Sequence, residues 1–151
     1  MTHYPIAAEA LDLEIYQLSC LFAASRELTK LSKKNSSLQS LVNAFELSEV
    51  SKKLISIAVT LRSFLDCNPK QNSKETTGTL VKDTEEHIVQ PLDFREACNK
   101  IIHATDIEFF KNCDPDNGLH WSLTLFGKKD NKQWEASLDI LQFIVIAHKL
   151  T

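Results

Sequence analysis

Three side chains that can act on a phosphate ester follow one another at helical spacing in the second half of the chain. Arg95, Asn99 and His103 stand four residues apart, so they share one polar stripe if the segment is an α-helix. A neutral histidine is a general base near pH 7, and an arginine stabilises phosphate charge in a transition state. The spacing predicts a candidate catalytic site, and the alternative is an ordinary solvated helix face.

A second candidate set is basic. Lys128, Lys129 and Lys132 belong to a loop at 127–132, between two runs in which apolar and polar residues alternate. Lysines at a hairpin tip can contact phosphate, so we predict RNA or phosphate contact here; the alternative is a solvated turn. The chain has no Gly-rich phosphate loop, no nucleophile elbow and no zinc-protease motif, and we therefore predict neither a metal nor a cofactor.

The elements that must position these residues are mainly helical. Apolar periodicity predicts helices at about 6–32, 36–46, 48–66, 93–104 and 139–150. Alternation predicts strands at about 107–111, 119–127 and 133–138. The polar segment 67–80 predicts a mobile surface loop. We therefore expect a mainly α (α+β) fold in a single domain, 1–151, in which a helical bundle carries a small C-terminal antiparallel β-hairpin or sheet and a closing helix.

The composition limits the classes of function. The net charge of −3 provides no global basic field, so a nucleic-acid role needs a local basic patch. The apolar stretch at 140–147 is too short to span a bilayer, and no signal-peptide pattern occurs, so we expect a cytoplasmic protein without membrane contact. Cys20 and Cys98 lie on apolar helical faces, which predicts buried, reduced thiols.

The segment 98–103 resembles the signature of HEPN domains, small helical bundles that often cleave RNA or derive from nucleases. Their signature is an arginine, a polar residue, three further residues and a histidine. Asn99 matches the polar residue and His103 the histidine, whereas Cys98 occupies the arginine position and Arg95 lies one turn upstream. The resemblance implies metal-independent chemistry by His103 on RNA, commonly across a dimer interface.

Three functional hypotheses follow from these residues. The leading one is a non-catalytic HEPN-like domain that acts by self-association or by binding RNA or a partner protein, because a thiol cannot stabilise phosphate charge as a guanidinium does. The second is a metal-independent endoribonuclease that uses His103, Asn99 and Arg95. The third is an accessory protein of a mobile-element or defence locus, in which the polar stripe is structural. A homodimer and an RNA or protein partner are the associations that these hypotheses imply.

Overall fold

The computed structural model describes residues 5–71, 74–111 and 118–151. The elements, in chain order, are helices α1 (Pro5–Ser32) and α2 (Ser36–Cys67), strands β1 (Thr76–Val81) and β2 (Val89–Asp93), helix α3 (Phe94–His103), strands β3 (Asp106–Lys111), β4 (Leu119–Lys129) and β5 (Lys132–Asp139), and helix α4 (Ile140–Leu150). The expected mainly α (α+β) class is therefore right in outline. The predicted first and last helices, the helix at 93–104 and the three predicted strands all agree with these bounds to within about two residues.

The five strands form one antiparallel sheet in the order β2-β1-β5-β4-β3. Strands β4 and β5 make its longest hairpin, which pairs Ser122 with Asp139 at one end and Lys129 with Lys132 at the other. Asp130 and Asn131 form the turn, with φ angles of 52° and 62°. Two successive positive φ values are typical of the tight turns whose twist suits a hairpin. The prediction of a hairpin that turns within 127–132 is confirmed.

Helices α1 and α2 form an antiparallel helical hairpin, and Asn35 begins α2 by accepting a hydrogen bond from the N–H of Leu38 at 3.1 Å. The sheet-proximal part of this hairpin supplies much of the core. Its buried apolar residues are Leu11, Ile15, Leu18 and Phe22 of α1 and Val50, Leu54, Ile57, Ala58, Leu61 and Leu65 of α2. No residue of α2 before Val50 is buried, so the distal part of the hairpin lies outside the core.

Ser25 joins the helical hairpin to the sheet. Its hydroxyl donates to Oε1 of Glu46 on α2 and accepts from the N–H of Leu119 at the start of β4, both at 2.8 Å. Gly118 allows this approach: its φ is +64°, and a Cβ there would lie 2.6 Å from the carbonyl carbon of Ser25.

Aromatic pairs join the remaining layers. Phe94 of α3 stacks on Phe143 of α4 with ring centroids 5.1 Å apart, and Phe22 of α1 stacks on Trp121 of β4 at 5.3 Å.

Cys98 is fully buried, as predicted. The same prediction is wrong for Cys20, which is exposed because its side of α1 faces away from the core.

Two sequence predictions need correction. The predicted helices 36–46 and 48–66 are one helix, α2; Ser48 resembles an N-cap, but no glycine or proline interrupts the helix there. The sheet is also larger than the predicted hairpin, because residues 67–80 include most of β1 and the unassigned segment that follows includes β2. Residues 72 and 73 of that predicted loop lie outside the described part of the chain.

Candidate functional site

Helix α3 carries the predicted polar stripe. Asp93 caps the helix, since its Oδ1 accepts a hydrogen bond from the N–H of Glu96 at 2.8 Å. The opposite face is buried against the core through Phe94, Ala97, Cys98 and Ile101. This amphipathic packing fixes which way the stripe points, but its three members have different surroundings.

Arg95 is held by an ion pair with helix α2. Its Nη2 lies 2.5 Å from Oδ1 of Asp66, and the same oxygen lies 2.7 Å from Nη1 of Arg62. The two guanidinium groups and the carboxylate tie α3 to α2. Arg95 therefore points to α2 and does not line the cavity that Asn99 and His103 share.

A cavity of about 450 Å³ lies between α3 and the end of the β4–β5 hairpin; we call it the α3 cavity. Its lining residues are Arg62, Glu96, Asn99, Lys100, His103, Lys128, Lys129 and Trp134. The structure thus brings the two separately predicted sets together, because Asn99 and His103 face Lys128 and Lys129 across one space. Four lining residues are lysine or arginine and one is a carboxylic acid, so the cavity is locally basic.

Lys100 is the site residue that the sequence reasoning missed. Its side chain is only 9% exposed, and its Nζ lies 3.3 Å from Oε1 of Glu96 and 4.4 Å from the centre of a Trp134 ring. The ion pair and the contact with the aromatic ring offset the free energy that removing the ammonium group from water costs. The signal available in the sequence for this ion pair was Glu96. It stands one helical turn before Lys100, and that lysine adjoins apolar positions of the helix.

Gly127 makes room for this arrangement. It pairs with Trp134 across the hairpin, and a Cβ at Gly127 would lie 2.1 Å from Cζ2 of the indole. The ring therefore lies directly against the backbone of β4. It is 3% exposed, so it supports Lys100 and is too well covered to stack on a nucleic-acid base.

Lys132 has a different environment from the other two hairpin lysines. It does not line the α3 cavity, and its Nζ lies 3.9 Å from Oδ2 of Asp83. Lys132 lines a neighbouring cavity of about 630 Å³ together with Lys82, Lys100 and Lys129. The carboxylic acids of that cavity outnumber its lysines; they are Asp83, Glu86, Asp93, Glu96 and Asp130. Only Lys128 and Lys129 of the predicted hairpin set therefore contribute to the basic cavity.

The ionisation of Glu96 and Cys98 reflects these contacts. Burial alone would raise the pKa of Glu96, but the hydrogen bond from Asn99 and the charges of Lys100 and Lys129 outweigh it and lower that pKa below its usual value. Burial raises the pKa of the Cys98 thiol to about 12, against the opposing effect of the nearby Arg62 and Arg95 charges. Glu96 is thus an anion at neutral pH, whereas Cys98 is a neutral thiol within the core.

Within the described residues, no group of three or more histidine, cysteine, aspartate or glutamate side chains is placed to hold a metal ion. None of the described helices is long and apolar enough to cross a bilayer.

In comparisons with known proteins, no family model, no curated protein and no solved structure matches this chain. The HEPN resemblance of residues 98–103 accordingly stays a prediction, as do the catalytic and RNA-contact roles of the site residues.

Proposed function

We propose that this protein binds the phosphate backbone of RNA in the α3 cavity without cleaving it. The observation that carries the proposal is the convergence of Arg62, Lys100, Lys128 and Lys129 on one space with a single carboxylic acid. The chain as a whole has a net charge of −3. A basic cavity on an acidic protein is the local patch that phosphate binding requires.

The charge available to a ligand comes mainly from the β-hairpin. Arg62 shares the carboxylate of Asp66 with Arg95, and Glu96 pairs with Lys100. Lys128 and Lys129 are exposed, and no carboxylate of the described residues forms an ion pair with either of them. These two lysines would therefore make the phosphate contacts, and the imidazole of His103 and the amide of Asn99 would add hydrogen bonds.

The surroundings of His103 support binding rather than cleavage. RNA cleavage of the kind that the HEPN resemblance implies needs the guanidinium of the signature arginine beside the histidine. Arg95, the nearest arginine to that position in the chain, is bound to Asp66. Position 98 cannot supply that group, because Cys98 is 0% exposed and an arginine there would bury an unpaired charge. The cavity therefore keeps the anion-binding part of the predicted chemistry, and its one lining arginine, Arg62, is paired with Asp66.

Binding can be tested by fluorescence anisotropy with a labelled single-stranded RNA over a series of salt concentrations. The double variant Lys128→Ala/Lys129→Ala should weaken binding at least about 10-fold at low salt. It should also reduce the slope of log K against log salt by about 1.4, since each neutralised phosphate of a single strand contributes about 0.7. The matched control is Lys70→Ala/Lys74→Ala, which removes the same charge from exposed positions outside the cavity.

Two results would contradict this proposal. Wild-type protein that does not bind RNA at low salt would refute it, and so would an equal loss of affinity in the control variant. Cleavage is tested on the same RNA in the presence of EDTA, where we expect no product. Cleavage that falls about 100-fold or more in His103→Ala would instead establish the endoribonuclease alternative.

A further inference from the structure

The α1–α2 hairpin carries an apolar groove of about 580 Å³, which we call the hairpin groove. Its lining residues are Gln17, Cys20, Leu21, Ala24, Leu28, Leu38, Leu41, Val42, Phe45, Glu46, Glu49 and Lys53. Leu41 and Phe45 are 55% and 56% exposed. A continuous apolar surface of this kind is typical of an association site rather than of a solvated helix pair.

The groove has no partner within the described chain, since all of its lining residues belong to α1 and α2. Ser25 makes the contact with the start of β4, and residues 36–49 of α2 have no buried member. We propose that a second copy of this chain occupies the groove, with the two helical hairpins packed face to face in antiparallel orientation. The groove shares no residue with the α3 cavity, so this association is independent of RNA binding.

The available area suits a dimer of two such hairpins. The groove spans residues 38–53 of α2, which is about 24 Å of helix. Two adjacent helices are about 20 Å wide, so each protomer offers a face of about 500 Å² and the pair buries about 1,000 Å² in total. A specific interface needs about that area.

The charges select the antiparallel orientation. Lys30, Lys33 and Lys34 stand at the hairpin tip, where Lys30 pairs with Glu27 at 3.7 Å. The carboxylic acids of the groove, Glu46 and Glu49, lie toward its sheet end, where Glu49 pairs with Lys52 at 3.3 Å. A two-fold axis through the middle of the hairpin groove places the tip lysines of each copy beside the sheet end of the partner's groove. Lys53 is the one basic residue that lines the groove. A parallel arrangement would place the tip lysines of both copies together and is disfavoured by repulsion.

Glu46 provides a second reason to expect a basic partner. Its Oε1 accepts the hydrogen bond of Ser25, but its Oε2 is buried and accepts no hydrogen bond within the described part of the chain. A buried acceptor without a donor is unfavourable. A lysine from the hairpin tip of the second copy would supply the missing donor to Oε2 of Glu46.

The oligomeric state of the full chain in solution tests the proposal. Light scattering after size exclusion should give twice the chain mass of 17.1 kDa for the wild type at micromolar concentration. Phe45→Glu should raise the dissociation constant of the dimer at least about 30-fold, because each dimer loses two central apolar contacts. Leu141→Glu is the matched control, since Leu141 is 55% exposed but lies on α4, outside the groove; its dimer should be unchanged. Circular dichroism checks that both variants remain folded.

A charge exchange tests the orientation. Lys34→Glu alone should weaken the dimer, and adding Glu49→Lys to it should restore the affinity if the two side chains meet across the interface. A wild type that remains at the mass of one chain at all concentrations would overturn the proposal and leave the groove to a different protein. A dimer that Phe45→Glu does not weaken would also overturn it, because the contact would then lie elsewhere.

Discussion

Gly127→Ala tests the packing that supports the α3 cavity. The added Cβ would lie 2.1 Å from Cζ2 and 2.4 Å from Cε2 of Trp134, whereas carbon atoms in ordinary contact are about 3.5–4.0 Å apart. The indole must therefore move by more than about 1 Å. It is only 3% exposed, so it has little free space into which it can move.

The expected destabilisation combines three effects. Overpacking in a dense core costs about 1–3 kcal/mol, and displacement of the ring from Lys100 removes about 0.5–2 kcal/mol of cation–π interaction. Alanine in a strand is itself favoured over glycine by about 0.5–1 kcal/mol, and Gly127 does not have a positive φ that would oppose it. The free energy of unfolding should fall by about 1–4 kcal/mol.

A double-mutant cycle separates the clash from a backbone effect. Trp134→Leu removes the ring atoms that the new Cβ would meet. In that background Gly127→Ala should be neutral or should stabilise by about 0.5–1 kcal/mol, and the coupling between the two substitutions should therefore be about 1–5 kcal/mol. Urea unfolding can be followed in all four proteins by fluorescence, because Trp121 remains in each of them.

The refuting result is specific. If Gly127→Ala destabilises the protein equally in the presence and in the absence of the Trp134 ring, the close approach of glycine and indole is not the reason for glycine at this position. The melting temperature offers a second measurement, since 1 kcal/mol corresponds to about 2–4 °C for a chain of this size.

Two further predictions concern helix α3. Asp93→Ala removes the acceptor for the N–H of Glu96 and should lower the free energy of unfolding by about 1 kcal/mol; Asp93→Ser, which can still cap, should lose clearly less. Glu96→Gln should destabilise the protein at pH 7, and denaturation at several pH values checks this. Because the pKa of Glu96 is lowered in the fold, the stabilisation by its carboxylate is present above its unfolded pKa and disappears as the pH falls through the folded value. A difference between the wild type and Glu96→Gln that grows at acidic pH would contradict the proposed contacts.

Local patterns determined most of the helices and the β-hairpin. The capping signal at Asp93 and Glu96 and the apolar positions of α3 were legible because a helix repeats every 3.6 residues. The β4–β5 hairpin was legible because strands alternate with a period of two. The edge strand β2 was not, since it buries only Leu92 and contains Pro91, which weakens the strand pattern.

The candidate site depended on tertiary structure for its composition. The polar stripe predicted that Arg95, Asn99 and His103 would act together, but the pairing of Arg95 with Asp66 of α2 directs its guanidinium elsewhere. Lys128 and Lys129 adjoin the cavity only because the hairpin packs beneath α3. These contacts join residues that are far apart in the chain, and no local period encodes them. The sequence by itself therefore determined which residue types were present on each element, and only the packing of α3 against α2 and the sheet decided which of them share a cavity.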